Sequence, residues 1–207
     1  MRLALLADHE DTVLLNTLKK PELEILATAD PETFLKTEAD VYLDLLFEEH
    51  PERLPELISL LPRTVIVCAV QSTLAMLHPD LVRINGWKTF LERPALELVC
   101  KPELKQVVTT MAEALSKQVH FVPDIPGMLA PRVVAMIVNE ACFALNEKVS
   151  TREEIDTAMK LGTNYPFGPF EWAGKIGMRK IAALLDTLAR DDERYIPAPG
   201  LPDLLEK

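Results

Sequence analysis

The order of apolar patterns along the chain predicts an α/β domain followed by an all-α domain. Three observations carry this reading. Short apolar runs alternate with helical patterns over residues 1–122, no strand-like run follows residue 123, and four of the seven glycines fall between Gly162 and Gly177 while none precedes Gly86. Alternation of the first kind argues for βαβ units around a largely parallel, buried sheet.

Residues 2–7, 23–28, 41–47 and 64–69 read as buried strands, with helices over 10–19, 31–37 and 51–60 between them. Asp30, at the end of the second strand where a ribose-binding acid of a dinucleotide fold would lie, reads more simply as a helix cap, because an aspartate accepts the first free N–H groups and Pro31 suits the first turn. Residues 81–85, 96–100 and 119–122 are three more strand candidates. The segment 102–117 places apolar residues at Leu104, Val107, Val108, Met111, Ala114 and Leu115, an amphipathic helix. The character changes at Pro123–Gly127, so the boundary falls near 123. Residues 132–145 are apolar nearly all round and predict a central buried helix. Ser150 or Thr151 starts the next helix with Glu153 or Glu154 at capping-box spacing, and Gly162 is expected to end it in a left-handed conformation. Helices over 169–175 and 178–190 follow, and the proline-rich tail, 195–204, is expected to run extended over the surface.

The 207 residues, 48% of them hydrophobic, suffice for one fair-sized core or two small domains. A net charge of −10 excludes nucleic acid as a natural partner. No apolar run approaches a membrane span, and residues 3–7 are too short for a signal-peptide core. Cys68, Cys100 and Cys142 lie far apart in apolar stretches and read as reduced core cysteines of a cytoplasmic protein. No Cys or His pair has metal-ligand spacing.

Asp124-Ile-Pro-Gly-Met-Leu, Asn139-Glu-Ala, Ile155-Asp-Thr-Ala-Met-Lys-Leu-Gly, Tyr165-Pro-Phe-Gly-Pro-Phe-Glu, Ile176-Gly and Arg194-Tyr-Ile-Pro-Ala-Pro follow one another in this order. The series resembles the C-terminal helical domain of the 3-hydroxyacyl-CoA dehydrogenases over about 80 residues of the 207. The resemblance implies a Rossmann-like domain over 1–122, shortened and degenerate, and a helical domain over 123–207 of the 6-phosphogluconate dehydrogenase C-terminal-like class. It also implies dimerisation through the helical domain. In the family the first domain binds NAD, and a 3-hydroxyl of a fatty acyl-CoA is oxidised with the help of a serine, a histidine, a glutamate and an asparagine.

This chain departs from that pattern. The first strand leads into Asp8-His9-Glu10-Asp11-Thr12, with no glycine and three carboxylates where the pyrophosphate of a dinucleotide would sit. Ser72 in Gln71-Ser-Thr-Leu matches the family's serine, although a lone serine near a helix start is more often a cap. Glu97 in Ala95-Leu-Glu-Leu-Val matches the glutamate. Lys88 stands at the histidine position and Pro131 at the asparagine position. A lysine beside Glu97 would stay charged and accept no proton. His9, His50, His78 and His120 align with no catalytic role.

These departures lead to the expectation of a homologue with lost or altered hydride transfer, a pseudoenzyme that uses no cofactor and acts as a dimerising or acyl-CoA-binding protein, alone or with an active paralogue. Two alternatives stand beside it. One is an active NAD(P)-dependent dehydrogenase of fatty acid metabolism in which Lys88, its pKa lowered by burial, works with Glu97 and Ser72. The other is a ligand-free structural module in which Phe170 and Trp172 simply fill the core.

Overall fold

The computed structural model of the chain describes residues 1–201. It divides into two compact units, the first closing at Met128 and the second opening at Leu129.

The first unit is built on a seven-stranded sheet: β1 (Arg2–Leu6), β2 (Glu24–Thr28), β3 (Val41–Asp44), β4 (Thr64–Cys68), β5 (Val82–Ile84), β6 (Ala95–Val99) and β7 (Gln118–Phe121). Their order across the sheet is β2-β1-β3-β4-β5-β6-β7, and every pairing is parallel except β5 with β6. The helices are α1 (His9–Leu18), α2 (Pro31–Lys36), α3 (Leu54–Ser59) and α4 (Lys105–Ala114). Strands β1, β3 and β4 are near-continuous apolar runs and almost fully buried, as strands covered on both faces must be. Asp30 caps α2, its carboxylate taking the Thr33 N–H at 2.8 Å with Pro31 in the first turn. β3 stops at Asp44 instead of running to residue 47. The Asp44 side chain turns the backbone by taking the Leu46 N–H at 2.9 Å, and Phe47 opens a short 3-10 turn.

The first unit also keeps the segment that follows the compositional break at Pro123. Asp124 pairs with the buried Arg83 guanidinium and takes the Leu74 N–H at 2.9 Å, and Gly127 donates to the Val70 carbonyl at 2.8 Å. These bonds hold 124–127 to the end of β4, so the unit closes later than hydropathy alone indicates.

The second unit contains α5 (Ala130–Asn146), α6 (Arg152–Thr163), α7 (Pro169–Ile176) and α8 (Met178–Ala189). Thr151 and Glu154 form the capping box that starts α6. Gly162 does not end that helix; it lies inside it, and Asn164 takes the left-handed conformation at φ 57°. A short asparagine side chain tolerates that region better than most. α5 buries Val134, Ala135, Val138, Ala141 and Cys142 but leaves Val133 about half exposed, so it presents one face to the core and is not enclosed on all sides. The tail does not simply run over the surface. Asn139 of α5 takes the Ala198 N–H at 2.7 Å and donates to the Ile196 carbonyl at 2.9 Å, and Tyr195, Ala198 and Leu201 are buried. Residues 202–204 of the expected tail lie outside the described residues.

Candidate functional site

In an open sheet of this order the strand sequence reverses at β1 and β3, and a ligand crevice lies beyond the carboxyl ends of those strands. Four sets of internal contacts fill this region. Asp8 caps α1 by taking the Asp11 N–H at 2.9 Å. Lys88, from the loop after β5, reaches the same helix start, with its Nζ 2.7 Å from Asp8, 3.1 Å from Asp11 and 3.3 Å from Glu10. At the end of β3, Asp44 binds Arg53 through both carboxylate oxygens at 2.9–3.1 Å, fully out of solvent. Glu48, just beyond, accepts the Val70 and Gln71 N–H groups at 2.6 and 2.9 Å and the Trp87 indole N–H at 2.5 Å.

The electrostatics follow the geometry. Burial opposes the charge on Lys88, but Asp8, Asp11 and Glu10 outweigh it and push the ammonium well above its ordinary value. Burial also works against ionised Asp8, yet the Asp11 N–H and Lys88 hold it below the usual carboxylate range. For Asp11 burial wins, and its carboxyl is pushed up despite Lys88. A small cleft of about 250 Å³ remains between the ends of β1 and β2, lined by residues that include Ala7, Asp8, His9, Thr12 and Thr28. Its residues do not fit a dinucleotide pyrophosphate bound in the usual way. No glycine lets the backbone approach, and the N-terminus of α1 is already capped by carboxylates. Among the described residues no cluster of His, Cys, Asp and Glu could hold a metal ion.

A second concave region lies toward the other edge of the same sheet. Asn85 follows β5 directly and donates its N–H to the Glu97 carbonyl at 3.1 Å, while Glu97 of β6 is in register with His120 of β7. The three residues thus form a row across three strands. With Phe90, Arg93 and Pro94 from the loop after β5, they line a cavity of about 360 Å³. Thr89 in that loop has φ 77°, a conformation β-branched residues avoid.

The structure distributes the sequence-derived candidates over different places. Lys88 is committed to Asp8, Glu10 and Asp11, not to Glu97, and it is held charged; the lowered pKa on which a general-base role depends is reversed. Glu97 lines the cavity at the opposite sheet edge. Ser72 caps no helix: the chain continues into a turn in which the Thr73 carbonyl accepts the Met76 and Leu77 N–H groups. Pro131 is buried in the first turn of α5, where a missing N–H costs nothing. Glu48, Asn85 and His120 escaped sequence reasoning. The register of two adjacent strand candidates could have suggested the pairing of Glu97 with His120; nothing local marks Glu48. The three cysteines are free, and burial pushes the Cys142 thiol up to about 11, as inert core cysteines require.

In the second unit, Asp156 of α6 accepts the Phe170 and Glu171 N–H groups at 2.8 and 3.2 Å, at the start of α7. A Cβ on Gly168 would collide with that carboxylate, so this glycine is required by its neighbour. Phe170 and Trp172 are buried behind it.

Residues 127–207 match the family model for the 3-hydroxyacyl-CoA dehydrogenase C-terminal domain. That part of the chain is homologous to the C-terminal domain of the 3-hydroxyacyl-CoA dehydrogenases. The 3-hydroxyadipyl-CoA dehydrogenase of Escherichia coli (strain K12) is 48% identical over 83 residues, 39% of this chain and 18% of that protein. The 3-hydroxybutyryl-CoA dehydrogenase of Clostridioides difficile is 34% identical over 138 residues, 62% of this chain and 48% of that protein. This homologue therefore spans less than half the length of those two relatives. The crystal structure of (S)-3-hydroxybutyryl-CoA dehydrogenase from Ralstonia eutropha shares the fold, with a TM-score of 0.69 at 20% identity over 88% of this chain and 70% of that one. The comparison corrects one expectation. That no cofactor is used does not stand, because the homologues are NAD-dependent dehydrogenases. What the structure adds is that the loop after β1 does not fit that group in the ordinary manner. Among the described residues no helix is long and apolar enough to cross a membrane.

Proposed function

We propose that this homologue binds a 3-hydroxyacyl-CoA or 3-oxoacyl-CoA and carries hydride transfer in altered form. The observation that supports this reading is the position of Lys88. It stands where the family pattern has its histidine, and its ammonium closes the corner beneath the nucleotide loop by joining Asp8, Glu10 and Asp11. A lysine so held donates hydrogen bonds but cannot take the proton of a hydroxyl near neutral pH. Any nicotinamide nucleotide must open that corner or lie differently across the cleft between β1 and β2. The helical unit, whose sequence keeps the family pattern, supplies a second copy's docking face in this reading.

The test is a thermal-shift titration of the chain with acetoacetyl-CoA, free CoA, NADH and NADPH, followed by absorbance-monitored oxidation of NADH. Stabilisation by acetoacetyl-CoA beyond that by CoA is expected. Turnover should fall at least about 100-fold short of an enzyme with an intact general base. Turnover at family-like rates that a Lys88→Ala variant abolishes would overturn the reading. Light scattering checks the oligomer: a mass near twice 23.2 kDa is expected.

A further inference from the structure

The turn that carries Lys88 is built against its own residue types. Phe90 donates its N–H to the Trp87 carbonyl at 3.1 Å, so Trp87, Lys88, Thr89 and Phe90 form a β-turn. Thr89 stands third in it with φ 77°, while Lys88 before it has no positive φ. That is the type II arrangement, whose third position suits glycine or asparagine. A β-branched threonine there carries a backbone cost that the surroundings must offset. The cost extends to side chains. Thr89 is buried and its Oγ1 has no hydrogen-bond partner, and neither has Asn85 Oδ1 four residues earlier. Buried polar groups are nearly always satisfied, so two orphaned atoms and a disfavoured φ within five residues mark a segment held in place from outside. The ends of the turn are fixed: Trp87 and Phe90 are buried, and the Trp87 indole N–H is bound by Glu48. Between them Lys88 reaches away to Asp8, Glu10 and Asp11 at the start of α1.

We propose that the Trp87–Phe90 turn is a two-state switch whose latch is the ion cluster of Lys88 with Asp8, Glu10 and Asp11. The second state is a type I turn, the commonest form and one open to lysine and threonine alike. A flip of the Lys88–Thr89 peptide reaches it. The flip changes ψ of Lys88 and φ of Thr89 together and leaves Trp87, Phe90 and the hydrogen bond between them in place. While the cluster pins Lys88, that change is opposed and the type II form holds. An occupant of the crevice that draws Lys88 away from the carboxylates releases the turn, and the loop leading into β6 then registers that occupancy. The switch rests on the position of Lys88 at the α1 corner and not on acyl-CoA binding or hydride transfer, so it is tested on the chain alone.

The experiment is solution NMR of the isotopically labelled full chain without ligand. A type II turn brings the Lys88 Hα close to the Thr89 amide proton and a type I turn separates them, so the nuclear Overhauser contact between these protons reads the state. Wild type is expected to give a strong contact and one set of signals. Lys88→Gln should shift the ratio of the two states by about tenfold, the scale of losing a partly buried ion cluster, so that a second set of Thr89 signals with a weak contact appears in about one-tenth of the molecules or more. Thr89→Gly in that background should remove the second set, because glycine takes φ 77° freely. In wild type, salt at about 1 M shortens the screening length to about 3 Å and should shift the turn the same way with no substitution at all. The Trp87 indole N–H signal should keep its place throughout, since the ends of the turn do not move. The switch is overturned if wild type lacks the strong contact, if neither Lys88→Gln nor salt populates a second state, if that state persists after Thr89→Gly, or if the Trp87 signal moves with it. A chain that fails to bind acetoacetyl-CoA overturns the functional reading and leaves each of these outcomes as it stands.

Discussion

Two helix entries in this molecule show opposite uses of a carboxylate. At α7 the carboxylate comes from elsewhere: Asp156 of α6 takes two N–H groups of the first turn, and Gly168 is there because any side chain would displace it. At α1 the carboxylates belong to the entry itself, Asp8 as cap with Glu10 and Asp11 in the first turn, and Lys88 seals them. A helix start can serve a visiting anion only while its N–H groups stay free and a small residue leaves room. The first entry keeps its glycine for an internal guest. The second has no glycine and is closed on its own charges. The difference teaches that a helix start whose N–H groups are taken by a side chain from elsewhere in the fold needs a small residue beside it, while one closed by its own first turn does not.

The strongest way to break this comparison is Gly168→Ala. The new methyl must push Asp156 away from the Phe170 and Glu171 N–H groups, and urea unfolding should show a loss of about 4 kcal/mol, overpacking and two broken hydrogen bonds together. A loss below about 1 kcal/mol would mean that α7 tolerates a shifted carboxylate and that the glycine is not held by packing. Next in size is Glu48→Ala, which leaves two backbone N–H groups and the Trp87 indole without their acceptor. A loss of about 2–3 kcal/mol is expected, together with a shift in Trp87 fluorescence.

Most of the fold was legible in the sequence. The β strands of the first unit announce themselves as apolar runs, and the caps at Asp30 and Thr151 announce themselves by residue type, because both signals are local. The site was legible only in part. Lys88 was visible as an oddity, but its partners lie some 80 positions earlier, at the end of a strand on the far side of β3 and β4, and no periodicity predicts which carboxylate a long side chain will meet. Gly162 misled for a related reason. A glycine near a helix end suggests a left-handed stop, yet Asn164 supplies it two residues later.

A smaller effect sharpens the second half of the comparison. Lys88→Gln removes the ammonium and leaves a side chain one atom shorter that still donates hydrogen bonds. Asp11, about nine-tenths buried in its side chain, then lacks its counter-charge, and stability at pH 7 should fall by about 1.5 kcal/mol after allowance for the partly exposed lysine. The pH dependence fixes the sign. Lys88 has a raised folded pKa, so on its own titration its contribution is complete below the ordinary lysine value and is lost in strong alkali, and in acid it is lost with the charges of its carboxylate partners. Asp8 has a lowered folded pKa, so its contribution is present above the ordinary aspartate value and is lost as pH falls through the lowered one. Asp11, with its pKa raised, already costs stability when ionised, and acid relieves that cost, more so once Lys88 is gone. Wild type and Lys88→Gln should therefore differ most at neutral pH and converge as pH falls through the carboxylate range. A difference that stays constant down to strongly acidic pH would mean that Lys88 acts through packing of its stem and not through charge.

The smallest effect serves as the control for the others. Thr151→Ala removes one side of an exposed capping box in which no ligand, glycine or buried charge takes part: Thr151 accepts the Glu154 N–H at 3.3 Å, and the Glu154 carboxylate returns to the Thr151 N–H at 3.2 Å. A loss of about 0.5–1 kcal/mol is expected by denaturant unfolding, with no pH dependence beyond that of the Glu154 carboxylate, which the Ser150 hydroxyl and the Thr151 N–H hold below its ordinary range. This is the scale of a helix entry that serves only its own helix. If Lys88→Gln costs no more than this and shows no convergence in acid, then the corner at α1 is an ordinary cap, its charges contribute nothing special, and a nucleotide could displace Lys88 at little cost. If it costs clearly more, the α1 entry is a closed ion cluster, and whatever binds in the cleft beside it must first compete with Lys88.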